Sequence, residues 1–473
     1  MGRCAVLRLL CCLAALLSLL LLMSEVDARG GFDGIPGQYC EIRGAPRCCT
    51  HRDDECTAPI LNNHLCYCDN FCDRPQTPDG GDCCPDYYRI CEGEVTPPPS
   101  KGCISNNIRY RSGDRVKINC RQCTCNEEQW QCDDVRCMIE TQLIEEVNGG
   151  RYSWRAGNHT DFWGRSRDHG FQYRLGTLWP SRSVEDMIPI ERESRELPER
   201  FDAREKWPNF IHAVRDQGDC GASWAFSTTA TAADRTAIQS RGRRNAVLAA
   251  QQLLSCNQHV ELACKGGYLD RGWWYIRKLG LVKEECYPYT SGQSSRSGSC
   301  RISREQAMRP RSIQCPSGLG TPDRLYRTGP PYRIAKSEKQ IMSDIMTNGP
   351  VQATFMVSPD LFMYKSGVYR AMEMSKIDNL LGDPPADTTP PYHSVRLIGW
   401  GIDRSTGQDV KYWLAANSWG RGWGEDGYFR IVRGEDHQKI ESFVIAALGV
   451  GDKRRRRRLR RLHRRKLHRL RQL

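Results

Sequence analysis

The residues with the clearest chemical potential lie in three short segments that are far apart in the chain. The first runs from Asp216 to Ser227 and reads DQGDCGASWAFS, with Ser223 in the middle. The others contain His393, in the sequence YHSV, and Asn417, in the sequence NSWG. A hydroxyl, an imidazole and a carboxamide can combine in nucleophilic catalysis, where a base must reach the nucleophile and a third group must orient the base. Such chemistry requires a fold that brings the three segments together.

The first segment resembles the start of the catalytic domain of papain-like cysteine peptidases, where Q-G-x-C-G-S-C-W-A-F places a nucleophilic thiol at a helix start. At the position of that thiol the chain has Ser223. The resemblance implies that His393 occupies the position of the catalytic histidine and that Asn417 orients its ring. It also implies that Gln217 and the backbone N–H of residue 223 form the oxyanion hole. No metal and no cofactor is expected.

The change from thiol to hydroxyl is expected to silence this chemistry. A free thiol has a pKa near about 8.5, which a paired imidazolium lowers, whereas a serine hydroxyl starts several units higher. Each thousandfold loss of rate corresponds to only about 4 kcal/mol, so a misplaced oxygen is enough. We therefore expect a pseudoenzyme in which His393 and Asn417 persist as a hydrogen-bonded pair that supports the fold.

Two alternatives stay open for the cleft. One is a hydrolase that uses Ser223, His393 and Asn417 after removal of residues 142–198. The other is a decoy that holds peptides or peptidase inhibitors without cutting them.

The resemblance is closest to cathepsin B and extends from LPERFDAR at residues 197–204 to about Gly449. It includes the motifs CKGGY at 264–268, NGPV at 348–351, YKSGVY at 364–369 and GWG at 422–424. It implies an α+β fold for residues 199–450, with two lobes, one mainly helical and one β-barrel-like, and a cleft between them. It also implies a disulfide between Cys220 and Cys264, whereas the four remaining cysteines of this region could pair in three ways.

Two features of cathepsin B itself are missing from the chain. Its exopeptidase action depends on paired histidines in an occluding loop, but no histidine lies between Tyr287 and Cys315. Cathepsin B has an acidic residue at the base of its S2 pocket after an Ile-Glu-Ser triplet, where the chain has Phe443. Any pocket that remains there is expected to be apolar.

Residues 139–198 are similar to a cathepsin B propeptide, which in that family runs through the active-site cleft and blocks it. The similarity rests on WRAGN at residues 154–158 and RLGT at residues 174–177. The spacing of Ile139, Leu143 and Val147 predicts a helix over residues 139–148. The sequon that begins at Asn158 predicts N-glycosylation.

The cysteines are concentrated before this segment. The chain has 25 cysteines, of which three lie in the first 28 residues and sixteen between Cys40 and Cys137. Residues 29–92 are similar to somatomedin B-like modules and residues 103–138 to a shortened von Willebrand factor type C module, with a Pro-rich linker at 93–102. An even number of cysteines outside the first 28 residues favours disulfides over a zinc site. The second module is either a binding unit or a structural staple.

The two ends of the chain indicate its compartment and its charge. Residues 1–28 combine an early arginine, a short apolar run and small residues, which is typical of a secretory signal peptide. No later stretch is long and apolar enough to span a bilayer. The net charge of +13 equals the number of lysines and arginines between Lys453 and Leu473, where no acidic residue lies. In this tail the arginines expected to bind a polyanion are Arg454, Arg455, Arg456, Arg457, Arg458, Arg460, Arg461, Arg464 and Arg465.

Outside the cell, the polyanions that this tail could bind are sulfated glycosaminoglycans and anionic membranes. A nucleic-acid partner is disfavoured. A simple solvated tail is the alternative. The order of modules resembles the tubulointerstitial nephritis antigen family, which implies a matrix protein of basement membranes. Its expected partners are matrix proteins, cell-surface receptors or secreted signalling proteins.

Overall fold

The computed structural model describes residues 37–60, 64–72, 82–92, 102–105, 108–191, 196–257, 262–308, 313–318, 323–381 and 391–449. The chain divides into two compact units between Cys137 and Met138. The predicted signal peptide, most of the Pro-rich linker and the basic tail lie outside the described residues. Within them, no helix has the length and apolar character needed to cross a membrane.

The first unit consists of short antiparallel strands held by disulfides. Strands β1 (Thr57–Ile60) and β2 (His64–Tyr67) form one pair, and helix α1 spans Tyr87–Cys91. A second pair and a three-stranded sheet follow, built from β3 (Cys103–Ser105), β4 (Ile108–Tyr110), β5 (Arg115–Ile118), β6 (Arg121–Asn126) and β7 (Gln129–Cys132).

Eight disulfides stabilise this first unit. Residues 40–91 contain Cys40–Cys68, Cys48–Cys91, Cys49–Cys56, Cys66–Cys84 and Cys72–Cys83. Residues 103–137 contain Cys103–Cys125, Cys120–Cys137 and Cys123–Cys132. Because these bridges use every cysteine that the structure describes in the unit, no thiolate is left there to bind zinc. Cross-links of this kind stabilise small modules chiefly by restricting the unfolded chain.

The described part of the second unit is built around a nine-stranded sheet. Its strands are β8 (Trp154–Ala156), β9 (Phe201–Asp202), β10 (Thr328–Ile334), β11 (Val351–Met356), β12 (Tyr364–Tyr369), β13 (Tyr392–Asp403), β14 (Val410–Ala416), β15 (Tyr428–Val432) and β16 (Phe443–Gly449). They follow the order β10-β16-β11-β13-β14-β15-β12-β8, with β9 paired to β13. The β12–β15 pair is parallel and the other pairs are antiparallel.

Helices of very different length surround the sheet. They are α2 (Thr141–Gly149), α3 (Arg167–His169), α4 (Arg182–Glu185), α5 (Ala203–Lys206), α6 (Ser223–Ser240), α7 (Ala250–Cys256), α8 (Leu269–Lys278), α9 (Ser291–Ser294), α10 (Arg304–Met308), α11 (Glu338–Asn348) and α12 (Met374–Leu381). A π-helical turn spans Gly170–Arg174, and 3-10 turns span Pro359–Met363 and His437–Lys439. Helix α2 buries Leu143 and Val147, as their spacing predicts.

Two of the hydrophobic clusters in the described part of the second unit correspond to the two expected lobes. One core lies on the sheet and includes Trp400, Trp413 and Phe429. The other joins the helices through Trp224, Leu253 and Trp273. The predicted α+β, two-lobed papain-like fold behind disulfide-rich modules is therefore confirmed.

Segment 138–178 contributes to the sheet-side core, although it precedes the two lobes in sequence. Trp154, Phe162 and Leu175 are buried in that core, and β8 extends the sheet. The propeptide-like segment is thus part of the folded unit.

The disulfides of the second unit join Cys220 to Cys264, Cys256 to Cys300 and Cys286 to Cys315. The structure therefore contains the pairing that the family resemblance implied and selects one of the three alternatives left open for the other four cysteines.

Candidate functional site

Helix α6 begins at Ser223, which places that hydroxyl and the first backbone N–H groups of the helix at one point. The preceding residue, Ala222, offers no side-chain cap, so these N–H groups require other acceptors. The backbone N–H of Ser223 donates to the carbonyl oxygen of Leu175 at 3.2 Å. Ser223 is fully buried.

His393 and Asn417 lie on adjacent strands of the sheet-side lobe. His393 is near the start of β13 and Asn417 directly follows β14, which pairs with β13. The Nε2 of His393 lies 2.7 Å from the Oδ1 of Asn417, so Nε2 carries the proton of the neutral ring. Trp419 covers the pair, with its ring centroid 5.0 Å from that of His393.

The environment of His393 keeps its ring neutral. Burial lowers the pKa of His393 to about 4, against the opposing effect of its hydrogen bond to Asn417. In the neutral tautomer set by Asn417, Nδ1 is an acceptor. Among the described residues, nothing hydrogen-bonds this nitrogen. A base is therefore present, but its free nitrogen is not joined to a nucleophile.

The hydroxyl of Ser223 is bonded to a different group. Its Oγ lies 2.8 Å from the Oγ1 of Thr177, which in turn donates to the Oγ of Ser394 at 2.8 Å. The Oγ of Ser394 is 2.7 Å from that of Ser227, one turn along α6. These four hydroxyls form a buried network, and among the described residues it is this network, not His393, that bonds the Ser223 hydroxyl.

The oxyanion hole is occupied by the chain itself. The Nε2 of Gln217 donates to the carbonyl oxygen of Leu175 at 3.0 Å, the same oxygen that accepts from the N–H of Ser223. The Oε1 of Gln217 accepts from the hydroxyl of Ser418 at 2.7 Å, which orients the amide. A main-chain carbonyl thus takes the two donors that would stabilise an oxyanion.

We call residues 173–179 the strap, because they cross the cleft and contact both lobes. Thr177 donates its N–H to Tyr392, and Leu178 donates to Gly267. The indole N–H of Trp419 donates to the carbonyl oxygen of Arg174 at 2.6 Å. These bonds attach the strap to both the helical and the sheet-side lobes.

The strap passes closest to the rest of the protein at Gly176. Its φ is +105°, and a Cβ there would lie 2.1 Å from the carbonyl carbon of Gly221. Only glycine fits this crossing, because both the backbone conformation and the space exclude a side chain.

The apolar surface predicted at Phe443 is filled by the strap. The ring of Trp179 lies 4.8 Å from that of Tyr392 and 6.4 Å from that of Phe443, between centroids. Lys439 lies over the other part of the same indole, 5.1 Å from its centroid. Trp179 of the strap therefore packs at the position where the resemblance to cathepsin B implies the S2 pocket.

Ion pairs hold the N-terminal part of the strap region. Arg174, which is buried, bonds Asp216 at 3.0 Å and lies 3.4 Å from Asp219. Arg165 bonds Asp219 at 2.6 Å, and His169 is 3.4 Å away from it. Burial alone would raise the pKa of Asp219. The hydrogen bond from His169 and the charges of Arg165 and Arg174 outweigh burial and hold that pKa well below its usual range.

The structure thus places Gln217 and Ser223 on the same carbonyl oxygen of Leu175 and bonds His393 to Asn417. Asn158 lies apart from them and is half-buried; its glycosylation stays a prediction. The contribution of Thr177 was not predicted, although the motif that contains it was. Nothing in the sequence distinguishes a hydroxyl that bonds Ser223 from one that faces solvent.

Comparisons with known proteins agree with this geometry. Residues 197–448 match the papain family of cysteine proteases. The tubulointerstitial nephritis antigen of Homo sapiens is 43% identical over 432 residues, covering 87% of each chain. The human tubulointerstitial nephritis antigen-like protein is 42% identical over 425 residues, covering 87% of this chain and 88% of its own.

Among solved structures, procathepsin B S9 from Trypanosoma congolense superposes with a TM-score of 0.53 at 28% identity, covering 66% of this chain and 99% of its own. The chain therefore belongs to the tubulointerstitial nephritis antigen family, whose C-terminal domain here is a cathepsin B-like member of the papain family.

Proposed function

We propose that this chain is a secreted extracellular-matrix glycoprotein whose cathepsin B-like domain is catalytically inactive and acts by binding. The observation that carries the proposal is the hydrogen bond from Ser223 to Thr177 in place of one to His393. A serine nucleophile requires a base to take its proton, so a hydroxyl that is bonded to Thr177 rather than to the imidazole of His393 is not activated. The change from thiol to hydroxyl removes the ion pair that a cysteine peptidase uses.

The occupied cleft supports the same proposal. The strap fills the oxyanion hole with the carbonyl of Leu175 and the apolar surface at Phe443 with Trp179. In an active peptidase the enzyme removes such a segment, whereas a chain without a nucleophile has no means of cutting its own strap. The partners would then be recognised by other surfaces of the protein.

Secretion and matrix association are supported by chemistry and by family resemblance. The eleven disulfides need an oxidising compartment to form. Relatives that match most of the chain are named tubulointerstitial nephritis antigens. We propose matrix proteins, cell-surface receptors or secreted signalling proteins as partners, with residues 451–473 binding sulfated glycosaminoglycan.

The deciding experiment compares three proteins: the wild type, Ser223→Ala and Ser223→Cys. Each is assayed on a broad peptide library before and after limited proteolysis of residues 142–198. We expect only Ser223→Cys to cleave peptides, and only after the strap has been removed. Cleavage by the wild type that is lost in Ser223→Ala would refute inactivity.

A second candidate, a serine hydrolase, is favoured by the intact bond between His393 and Asn417. It predicts that a fluorophosphonate labels Ser223 once the strap is removed. Absence of labelling, with labelling of a known serine hydrolase in parallel, would exclude this candidate.

The decoy alternative requires an empty cleft, and the strap occupies it in the described structure. The decoy alternative predicts binding of a cystatin-type inhibitor after removal of the strap.

The proposed role of the tail has its own test, because truncation after Gly451 should abolish retention on a heparin column at about 0.15 M salt.

A further inference from the structure

Helix α8 has an outward face that the cleft does not explain. Its buried face packs Leu269, Trp273 and Ile276 into the helical core. Trp274 points the other way and is 42% exposed, although it is one of the largest apolar side chains of the protein. Seven other tryptophans are almost completely buried, namely Trp154, Trp224, Trp273, Trp400, Trp413, Trp419 and Trp423. Trp274 therefore leaves part of a large aromatic ring open to a ligand, and its meaning depends on what surrounds it.

Cationic side chains surround Trp274 on this helix. The guanidinium carbon of Arg277 lies 4.7 Å and the ammonium nitrogen of Lys278 5.7 Å from its ring centroid. Arg271, three residues before Trp274 and exposed, lies over the ring of Tyr268 at 4.4 Å. Residues three and four apart share one helix face, so these groups lie side by side.

The chain then turns so that two more arginines lie beside the end of α8. Gly280 has a φ of +85°, and a Cβ there would lie 2.9 Å from the Cγ of Arg327. The half-buried Arg327 donates to two carbonyl oxygens, from Nε to Leu279 at 3.2 Å and from Nη2 to Ala307 at 2.7 Å, so only the rest of its guanidinium is open to a ligand. Leu281 pairs with Tyr326, and the guanidinium of Arg324 lies over the Tyr326 ring at 5.8 Å.

We define the α8 cationic surface as Arg271, Trp274, Arg277, Lys278, Arg324 and Arg327. Among the residues that the structure describes, no carboxylate forms an ion pair with Arg277, Lys278, Arg324 or Arg327. Two acids lie nearby in the chain. Asp270 is half-buried and its carboxylate interacts with the charge of Arg271, and the carboxylate of Asp323 accepts the backbone N–H groups of Lys283 and Arg324. The surface therefore keeps a net positive charge.

We propose that the α8 cationic surface binds a sulfated polysaccharide, as a second site for the polyanion that we assign to the tail. The proposal rests on the glycosaminoglycan binding given under Proposed function and places part of it on the folded domain. Guanidinium groups present paired N–H donors that match the oxygens of a sulfate group. The exposed part of Trp274 offers an apolar surface for a sugar ring between the charges. A polymer with repeated sulfates could bind the surface and the tail together, so that the two sites reinforce each other.

The test uses the full chain and the chain truncated after Gly451, each with and without Arg277→Gln/Lys278→Gln. The matched control is Lys206→Gln/Lys339→Gln, which removes two exposed charges from other helices. On heparin at salt well below about 0.15 M, we expect the truncated protein still to be retained. Arg277→Gln/Lys278→Gln in the truncated chain should flow through, whereas the control pair should be retained.

Trp274→Ala separates recognition of a sugar from attraction to charge. This variant should elute from heparin at lower salt than its parent but unchanged from a sulfopropyl cation exchanger. Each variant should unfold on heating at the same temperature as its parent protein, which verifies that its fold is intact.

Two results would overturn the inference. One is equal elution of the Arg277→Gln/Lys278→Gln and control variants from heparin. The other is loss of binding to phosphatidylserine vesicles in Arg277→Gln/Lys278→Gln with unchanged elution from heparin, which would assign the surface to a membrane. The tail truncation alone tests the role of residues 451–473, so the two proposals fail separately.

Discussion

Replacing Gly176 by alanine should release the strap from the cleft. An alanine Cβ would lie 2.1 Å from the carbonyl carbon of Gly221, whereas ordinary contacts begin near 3.4 Å, so the two segments must separate by about 1.3 Å. The contacting atoms of Gly221 belong to the main chain, so no side-chain rotation can relieve the clash. The φ of +105° adds strain for any residue with a side chain.

The magnitude follows from these two costs. Overpacking in a filled site costs about 1–3 kcal/mol, and a left-handed backbone costs a residue other than glycine about 1–2 kcal/mol. The closed strap should therefore lose about 2–5 kcal/mol relative to the open strap. Since about 1.4 kcal/mol is a factor of ten, the population with an open cleft should rise by about 30-fold or more.

The assay requires a reactive group at the bottom of the cleft, which Ser223→Cys supplies. In that background, the rate of labelling by a peptidyl epoxide reports the open population when the strap recloses faster than the thiol reacts. Gly176→Ala should raise this rate about 30-fold or more.

Two controls match this substitution. Gly149→Ala adds a methyl group where nothing lies within 4 Å, and Gly164→Ala adds one at a φ of +79° in equally open space. Both should leave the labelling rate near that of Ser223→Cys alone. A rate for Gly176→Ala within about threefold of the controls would refute the role of the crossing, because this factor corresponds to less than 1 kcal/mol.

Three further predictions concern buried or paired charges. The pKa of Asp219 is lowered in the folded state. Its ion pairs therefore stabilise the closed strap above the unfolded pKa of about 4 and weaken as the pH falls below that value. The sensitivity of the strap to proteases should rise in acid, and Asp219→Asn should show the same raised sensitivity at neutral pH. The pKa of His393 is about 4, so its NMR signal, identified by its loss in His393→Gln, should not titrate between pH 8 and about 5; a midpoint near about 6.5 would contradict its burial. Asp344→Ala leaves the buried Arg235 unpaired and should destabilise the unit by about 3–5 kcal/mol, whereas Asp409→Ala at the exposed Arg404 should cost less than about 1 kcal/mol, as measured by thermal unfolding.

Much of the fold and the site could be predicted because specific motifs surround the functional positions. The segment around Ser223, the histidine of YHSV and the asparagine of NSWG are short, distinctive sequences. Their resemblance to one family places residues almost two hundred positions apart in a single cleft. The helix predicted over residues 139–148 is observed as α2, because the apolar residues Ile139, Leu143 and Val147 recur at the spacing of one helix face.

Other features depended on distances that a sequence does not contain. Cys256, Cys286, Cys300 and Cys315 have three possible pairings, and only the folded chain shows which sulfur atoms are adjacent. The bond from Thr177 to Ser223 could not be predicted, because many threonines in the chain could serve and hydroxyl orientation depends on packing. The exposure of Trp274 could not be predicted from the sequence either, since its neighbour Trp273 has the same side chain and is completely buried.

The position of β8 in the sheet has a mechanical consequence. This strand lies at one end of the nine-stranded sheet, whereas β16, the last described strand, lies next to the other end. The disulfide-rich unit joins the second unit just before helix α2, which leads into β8, and the basic tail follows β16. A protein anchored to a network through both regions would therefore carry tension across most of the width of the sheet. The first contacts to yield would be those of α2 and the few residue pairs between β8 and β12, so a stretched molecule would begin to open at this edge, well before its lobes separate.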